Sequence, residues 1–289
     1  MRMTTRYREL IKQPQIAVMV GAYDALSAKL VERAGFDLTF VHDYGVSASL
    51  LGMPDMGLVT LTEMAYILEK VVKAVGIPVI GDGGCGFGNS LNTFRTVREY
   101  ESIGVAGVNL EDQVYPKRCG HLAGKQVITP AEMVEKIRAA VDARKDPDFV
   151  ITARVDSIAI HGLDDAIMRA NLYAQAGADM VFVEAPTTEA DIQRIINEVK
   201  APSWINMVEG GKTPLVPIPR LQEMGAALVD YGPLVLFAAA AGVSKALAAL
   251  KRDGTTANHL HELMSFTAIN ELNRIDDYRA MESRYGAKA

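Results

Sequence analysis

Acidic residues at the ends of apolar runs suggest where this chain could do chemistry. Asp82, Glu111, Asp156 and Glu184 close or nearly close the runs IPVIGD, GVNLED, FVITARVD and MVFVEA. Carboxylates that converge on one place repel each other unless a cation lies between them. Hard divalent ions take oxygen ligands, so the pattern predicts Mg²⁺, with Mn²⁺ as the alternative. Arg154 adds a fixed positive fork for a substrate carboxylate or phosphate.

A second concentration of reactive residues is the segment YPKRCGHLAGK at 115–125. Cys119 lies within two residues of Lys117, Arg118 and His121. Because basic neighbours lower the pKa of a thiol, Cys119 is a candidate acid, base or nucleophile. Glycines inside the segment give it hinges, which is typical of a lid over an active site.

The glycine-rich stretch at 81–86, GDGGCG, matches the G-x-G-x-x-G pattern of dinucleotide-binding loops. In such loops the helix begins at the third glycine. Here FGNS follows at 87–90, and the helical pattern begins only at about Asn92. We therefore expect the glycines to relax the backbone around Asp82, and a nicotinamide oxidoreductase is disfavoured.

Strands and helices alternate along the chain and must position these residues. Two capping-box patterns, at 60–63 and 129–132, open predicted helices. Eight runs have strand character: QIAVMV, LTFVHD, IPVIGD, GVNLED, FVITARVD, MVFVEA, SWINM and ALVDYG. Eight strand–helix repeats predict an α/β fold, a closed (β/α)8 TIM-type barrel, in which the carboxyl ends of the strands form the active-site mouth.

Composition excludes several classes of protein. A net charge of −5 gives no basic surface for nucleic acid, and two cysteines do not make a disulfide framework. The first residues lack the apolar run of a secretory signal. The apolar stretch 233–250 carries Lys245 near its middle, which favours a buried helix over a membrane span. We expect a cytoplasmic protein with no nucleic-acid or membrane partner.

The predicted barrel occupies residues 1–255, and a helical extension occupies 256–289. The extension is rich in charge but also contains apolar residues such as Leu260, Leu263 and Phe266. These side chains are enough to dock on another surface.

Seven motifs in order along the chain resemble the isocitrate lyase/phosphoenolpyruvate mutase superfamily. They are GAYDALSAKL, SLLGMPDMG, GDGGCGFGN, NLEDQVYPKRCGH, DPDFVITARVD, VFVEAP and INMVEGGKTP. The K-R-C-G-H motif is typical of its carbon–carbon lyase branch, which includes 2-methylisocitrate and 2,3-dimethylmalate lyases. Carboxyphosphonoenolpyruvate mutases can also carry this motif.

The resemblance implies a homotetramer of barrels that exchange their terminal helices. It also implies Mg²⁺ at Asp82, with Glu111 reached through the water shell of the ion. By motif, the catalytic residues are Cys119, Lys117, Arg154 and Glu111. The implied substrate-binding residues are Asp55, His121, Glu184, Asn206 and Thr213. We also expect Tyr44, Gly45 and Gly120 to line the substrate pocket.

The implied reaction cleaves a 2-hydroxy di- or tricarboxylate to a 2-oxo acid and a carboxylate. Arg154 and the metal stabilise the developing negative charge, and Cys119 protonates the carbanion. The substrate is a small carboxylate.

Three positions depart from the pattern of relatives. Gly84 stands where relatives usually carry a second Asp, and His42-Asp43-Tyr44 replaces a small Ser/Gly-rich run. Phe40 stands where methylisocitrate lyases place a Tyr. Strands two and three are neighbours in a barrel, so we hypothesise that Asp43 supplies the missing metal carboxylate. Tyr44 narrows the pocket, which predicts a substrate other than methylisocitrate.

Three alternatives to the lyase stay open. One is a mutase or hydrolase acting on a P–C bond, such as carboxyphosphonoenolpyruvate phosphonomutase. Another is an oxaloacetate decarboxylase or hydrolase. The third is a catalytically silent barrel that binds a carboxylate. This alternative stays open because Gly84 stands where relatives carry an acid.

Overall fold

Eight parallel strands close into a barrel in the computed structural model, which describes residues 1–286. Each strand pairs with the next along the chain, and the eighth pairs with the first. The strands are β1 Ala17–Ala22, β2 Leu38–Val41, β3 Val79–Asp82, β4 Gly107–Glu111, β5 Val150–Val155, β6 Met180–Val183, β7 Ser203–Asn206 and β8 Leu228–Tyr231. The predicted (β/α)8 fold is confirmed.

Helices surround the strands and extend beyond them. They are α1 Met3–Leu10, α2 Ala25–Arg33, α3 Asp43–Val46, α4 Leu61–Ala74, α5 Ser90–Ser102, α6 Pro130–Ala143, α7 Ile158–His161, α8 Leu163–Gln175, α9 Glu189–Glu198, α10 Ile218–Met224, α11 Leu234–Asp253, α12 Phe266–Leu272 and α13 Ile275–Tyr285. A π-helical turn spans Ser47–Leu51, and a 3₁₀ turn spans Ala257–Glu262.

Local capping explains where two of these helices begin. At α4 the predicted box is complete, because the Thr60 hydroxyl accepts from the Glu63 amide and the Glu63 carboxylate accepts from the Thr60 amide at 2.8 Å. At α6 the Thr129 hydroxyl accepts from the Glu132 amide at 3.2 Å, with Pro130 in the first turn. Both caps satisfy amides that a helix start leaves unpaired.

The barrel interior is filled by aromatic residues, and its amino-terminal end is closed by α1. Trp204 packs edge-on against Phe40 and stacks on Phe182, with ring centroids 5.0 Å apart in each case. Tyr7 is fully buried, and a Cβ on Gly107 would stand 2.9 Å from its ring. The acids predicted for the site, such as Asp82 and Glu111, stand at the opposite, carboxyl ends of the strands.

The chain divides into two compact units, 1–236 and 237–289. The division lies earlier than the boundary predicted after residue 255, because α11 is exposed over most of its length. Of the described side chains in α11 only Ala249 is buried. The predicted burial of this helix is therefore wrong for the single chain. Residues 287–289 of the predicted extension lie outside the described residues.

The second unit by itself contains most of α11, the 3₁₀ turn, α12 and α13. Lys245 pairs with Glu262 at 3.0 Å, and His259 contacts Asp253 at 2.7 Å. By length and composition α11 could cross a membrane, with a mean hydropathy of 1.7. One such helix is weak evidence for a membrane span, since helices of water-soluble proteins can have the same length and composition.

Replacing Tyr7 by Ala should lower the free energy of unfolding by about 3–5 kcal/mol, because it empties the closed end of the barrel. Tyr7→Phe is the matched control, since it keeps the ring and removes only the hydroxyl, which lies 3.9 Å from Met180 Sδ. Urea denaturation of both variants checks this. Equal stability of the two variants would contradict the assigned role of the ring.

Candidate active site

Lys117 is the central cation on one side of the mouth. Its buried ammonium donates to Asp55 Oδ2 at 2.9 Å and lies 2.7 Å from Oδ1, and it also contacts the Asp43 carboxylate. Burial lowers the pKa of Lys117, but the surrounding carboxylates outweigh burial and hold this pKa well above its usual value. Burial and the charge of Asp43 raise the pKa of Asp55 to about 6.

Asp82 and Asp43 lie side by side at the ends of β3 and β2. Asp82 Oδ1 accepts from the Gly84 amide at 2.9 Å, and Oδ2 accepts from the Asp43 amide at 3.3 Å. Burial, followed by the charge of Asp43, raises the pKa of Asp82 to about 7. Burial also raises the pKa of Asp43, but Lys117 reverses this effect and lowers it overall.

These carboxylates have the donor chemistry that Mg²⁺ requires. Mg²⁺ is usually bound by one or two carboxylates, with waters and substrate oxygens completing its shell. Within residues 1–286 no cluster of three or more His, Cys, Asp or Glu forms a ready-made metal cage. A Cβ on Gly84 would meet no described atom within 4 Å, so the space of the missing acid is open. The pair Asp82 and Asp43 therefore fits the ion, and Asp43 as the replacement carboxylate stays a prediction.

Arg154 is the central cation on the other side of the mouth. Its Nε lies 2.8 Å from Asp156 and 3.4 Å from Glu111, and its Nη2 lies 3.1 Å from Glu184. The guanidinium also stands over the Phe182 ring, 5.0 Å from the centroid. Burial raises the pKa of Glu111 well above its usual value. Asp112, next to Glu111, contacts Tyr173 and Arg169 through Oδ2 and accepts from the Asp156 amide through Oδ1.

The segment with Cys119 lies over Arg154. A Cβ on Gly120 would stand 2.3 Å from Arg154 Nη2 and 2.5 Å from Glu184 Cγ, so only glycine fits there. Burial raises the pKa of the Cys119 thiol to about 11. The predicted lowering of this pKa is wrong, because Lys117 is engaged by carboxylates and Arg118 donates to the Ala123 carbonyl. The thiol is consequently protonated at neutral pH.

Further polar residues line the β6–β7 side of the mouth. His121 Nε2 lies 3.1 Å from Glu184, and its Nδ1 accepts from the Lys212 amide at 3.0 Å. Asn206 Nδ2 lies 3.5 Å from the same carboxylate. The buried Thr213 hydroxyl has no hydrogen-bond partner within residues 1–286. Such unpaired groups are expected where a polar ligand binds.

Tyr44 and Gly45 follow strand β2 and surround His42. The Tyr44 ring stacks on His42 with centroids 6.3 Å apart, and the Gly45 amide donates to His42 Nδ1 at 3.0 Å. A Cβ on Gly45 would be 2.8 Å from His42 Cε1. Burial lowers the pKa of His42 to about 4, so the ring is neutral. Gly45 thus fixes the imidazole.

Two residues near the site were missed or undecided at the level of sequence. Asp230 pairs in register with Asn206, and burial raises its pKa well above the usual value. Asp230 Oδ1 and His42 Nε2 have no hydrogen-bond partner in the described part of the chain. The acid inside ALVDYG was the available signal for Asp230, since it stands near a strand end as Asp82 does.

The glycine-rich segment after β3 packs closely and does not run straight into a helix. A Cβ on Gly86 would stand 2.1 Å from Thr93 Oγ1, and one on Gly83 would stand 2.8 Å from Leu110. Helix α5 begins only after Asn89, which caps it. The glycines therefore serve close packing around Asp82, in agreement with the interpretation of the sequence.

Comparison with known proteins identifies one family along most of the chain. The family model of phosphoenolpyruvate phosphomutase matches residues 7–251. The 2,3-dimethylmalate lyase of Eubacterium barkeri is 42% identical over 285 residues, covering 99% of each chain. The chloroplastic carboxyvinyl-carboxyphosphonate phosphorylmutase of Arabidopsis thaliana is 44% identical, covering 98% of this chain and 85% of the relative. The 2-methylisocitrate lyase of Aeropyrum pernix is 40% identical, with 98% and 91% covered.

Solved structures agree with these sequence matches. A crystal structure of 2,3-dimethylmalate lyase has a TM-score of 0.93 at 33% identity, covering 100% of this chain and 97% of that one. Oxaloacetate acetylhydrolase with 3,3-difluorooxalacetate has a TM-score of 0.93 at 29% identity, with 99% and 98% covered. Phosphonopyruvate hydrolase with oxalate and Mg²⁺ has a TM-score of 0.90 at 29% identity, with 99% of each chain covered.

Gly120→Ala should expose the Cys119 thiol, because the added Cβ cannot fit against Arg154 and Glu184. Exposure removes the burial that raises the pKa of the thiol, so this pKa should fall. We expect alkylation of Cys119 by iodoacetamide to accelerate about tenfold for each unit of that fall. Peptide mass spectrometry separates Cys119 from the buried Cys85. Ala123→Ser, at an exposed position of the same segment, should leave the rate unchanged. An unchanged rate in Gly120→Ala would contradict the close packing.

Proposed function

This chain belongs to the phosphoenolpyruvate mutase/isocitrate lyase superfamily, and we propose that it is a Mg²⁺-dependent carbon–carbon lyase. The proposed substrate is a 2-hydroxy di- or tricarboxylate of the 2,3-dimethylmalate or 2-methylisocitrate kind. One observation carries the proposal: the half-buried Cys119 thiol, which is protonated at neutral pH, lies beside a glycine packed against Arg154. This arrangement can bind an anion and deliver a proton to a carbon close to it.

Arg154 is proposed to hold a carboxylate of the substrate and to stabilise the charge that develops during cleavage. Its Nε and Nη2 atoms face protein carboxylates, and none of these contacts uses Nη1. Nη1 is therefore the donor we assign to the substrate. Guanidinium groups suit carboxylates because their donors form a rigid planar fork.

Asp82 and Asp43 would hold the metal ion, with Glu111 reached through water. When bound, Mg²⁺ supplies a Lewis acid that neutralises carboxylate charge and favours loss of the hydroxyl proton. Lys117 links Asp43 to Asp55 and so keeps these carboxylates in place. His121, Asn206 and Thr213, with Glu184, are proposed to line the remainder of the substrate pocket, together with Tyr44, Gly45 and Gly120.

The proposed cleavage breaks the bond between the hydroxyl-bearing carbon and its neighbour. The hydroxyl proton passes to a carboxylate of the mouth, and the hydroxyl carbon becomes the carbonyl carbon of a 2-oxo acid. The bonding electron pair remains on the neighbouring carbon. Cys119 then donates its thiol proton to that carbon, which completes the carboxylate product.

We further propose a cytoplasmic homotetramer in which the helices after the barrel are covered by a neighbouring subunit. The support is apolar exposure in the second unit, where Val243 is 59%, Leu247 61% and Phe266 87% exposed. Monomeric proteins rarely present such a surface to water. A boundary near residue 255 and packing of 256–289 on the neighbour remain part of this proposal.

A reaction at a P–C bond is the second candidate. It is favoured by the 44% identity to a phosphorylmutase and by structural similarity to a phosphonopyruvate hydrolase. The protonated Cys119 favours the lyase, because carbanion protonation needs a donor close to carbon. A silent carboxylate-binding barrel is the third candidate, and it predicts no turnover at all.

A substrate panel separates these functions. We expect release of a 2-oxo acid from 2,3-dimethylmalate or a similar 2-hydroxy acid. The 2-oxo acid is measured by a coupled dehydrogenase assay, with and without Mg²⁺. The panel also contains 2-methylisocitrate, isocitrate, oxaloacetate and phosphonopyruvate. Cys119→Ser should lower kcat by about 10²–10⁴, the usual contribution of a positioned acid. Turnover of phosphonopyruvate alone would favour the second candidate, and no turnover of any compound would favour the third.

Binding of Mg²⁺ should strengthen as pH rises through about 7. The pKa of Asp82 in the folded protein, about 7, lies above its ordinary value of 3.8, so metal-free protein gains stability as pH falls across this window and loses it as pH rises. Because protons and Mg²⁺ compete for Asp82, the increase in Tm caused by Mg²⁺ should be larger at pH 8 than at pH 5.5.

Asp82→Asn should abolish this increase in Tm, and Asp43→Ala should weaken it. Asp37→Ala is the control and should behave as wild type, because Asp37 forms an exposed salt bridge with Arg6 at the amino end of β2, opposite the mouth. Unchanged Mg²⁺ affinity in Asp43→Ala would show that Asp43 does not replace the missing acid.

A further inference from the structure

The carboxylate of Asp156 is shared by two buried cations. Lys125 Nζ lies 2.8 Å from Oδ1, while Arg154 Nε and Nη2 lie 2.8 Å from Oδ2 and 3.2 Å from Oδ1. The side chains of Lys125 and Asp156 are 2% and 0% exposed. A charge-assisted contact buried this deeply has a fixed geometry, in contrast to an exposed ion pair.

The backbone of Asp156 is also held in place. Its amide donates to Asp112 Oδ1 at 2.8 Å, and Asp112 Oδ2 accepts from the Tyr173 hydroxyl at 2.8 Å. Arg169 lies 3.3 Å from the same oxygen. Asp156 is thus a rigid reference point to which both cations are attached.

Lys125 belongs to the segment that carries Cys119. The base of this segment is fixed by pairing of Gln113 with Val127 and by a 2.8 Å hydrogen bond from the Val114 amide to the Gln126 carbonyl. Lys125 stands beside this base, directly after Gly124, whose φ is +80°. One lysine therefore connects the segment to the carboxylate that orients Arg154.

We propose that Lys125 is a positioning residue that sets Arg154 through Asp156. By neutralising part of the Asp156 charge, Lys125 lets Arg154 remain shared between Asp156, Glu184 and Glu111. Without Lys125, Asp156 would draw the guanidinium toward itself, since a buried carboxylate seeks full compensation. Arg154 would then turn away from the anion, and the backbone at Gly120 would lose its contact surface.

The inference rests on the proposed role of Arg154 in carboxylate binding, and it is tested by binding as well as by turnover. Oxalate is the probe, because it is a small dicarboxylate. Trp204 is the single tryptophan, and it stacks on the Phe182 ring. Because Arg154 lies over the same ring, the fluorescence of Trp204 should report binding of oxalate at Arg154. Titrations with oxalate in the presence of Mg²⁺ then give Kd without any catalytic assay.

Lys125→Met should raise the Kd of oxalate and lower kcat/KM by about 10- to 100-fold, the cost of a misplaced catalytic group. Lys125→Arg, which keeps the charge, should recover most of this loss. Asp156→Asn should have a comparable effect, and the double variant Lys125→Met/Asp156→Asn should be no worse than the poorer single variant. This non-additivity is expected if Lys125 acts only through Asp156.

Lys136→Met is the matched control. Lys136 is a buried lysine whose ammonium donates to the Cys85 carbonyl at 3.1 Å, so its loss perturbs folding without releasing Asp156. Equal oxalate affinity in Lys125→Met and Lys136→Met, or additive losses in the double variant, would overturn the inference. If Lys125→Met does not fold, Lys125→Gln provides the same comparison. A wild type that binds oxalate but turns over no acid would refute the lyase alone.

Discussion

Charge compensation among buried side chains of the barrel mouth is the constraint on which the site depends. Lys117 and Arg154 are each 9% exposed or less. Lys117 contacts the buried Asp55 and the partly buried Asp43, and Arg154 contacts several buried carboxylates. Removing charges from water is costly unless their partners are close and well oriented. This requirement constrains the backbone. Most of the residues that carry these charges stand at strand ends, and Lys117 stands on the segment that lies over the strand ends. The cations of this site are therefore already oriented by the protein's own carboxylates.

The same constraint determines what Cys119 can do. Burial holds the Cys119 thiol in its protonated form, even though two basic residues precede it in sequence. Gly120 then allows the backbone to approach Arg154 closely, so the thiol and the guanidinium occupy one small space. Proton donor and charge stabiliser are both needed when a carbon–carbon bond breaks with its electrons left on carbon.

Local signals predicted the barrel, because strand patterns and the helix cap at Thr60 depend on residues that are close together in the sequence. The gathering of Asp82, Glu111 and Glu184 was also predictable, since carboxyl ends of parallel strands meet at one mouth. Pairings between distant residues were not predictable from the sequence. Lys117 forms a salt bridge with Asp43 and is therefore not free to activate Cys119. The exposure of α11 was missed for a related reason, because apolar composition does not reveal whether a helix packs within its own chain.

Deuterium incorporation tests the central claim most directly. The proposed lyase is incubated with 2,3-dimethylmalate and Mg²⁺ in D₂O, where the Cys119 thiol exchanges its proton for deuterium, and the carboxylate product is analysed by mass spectrometry. We expect one deuterium on the carbon that leaves the broken bond for every molecule of 2-oxo acid formed. Release of 2-oxo acid with a carboxylate product that lacks deuterium would contradict the proposed proton transfer to carbon.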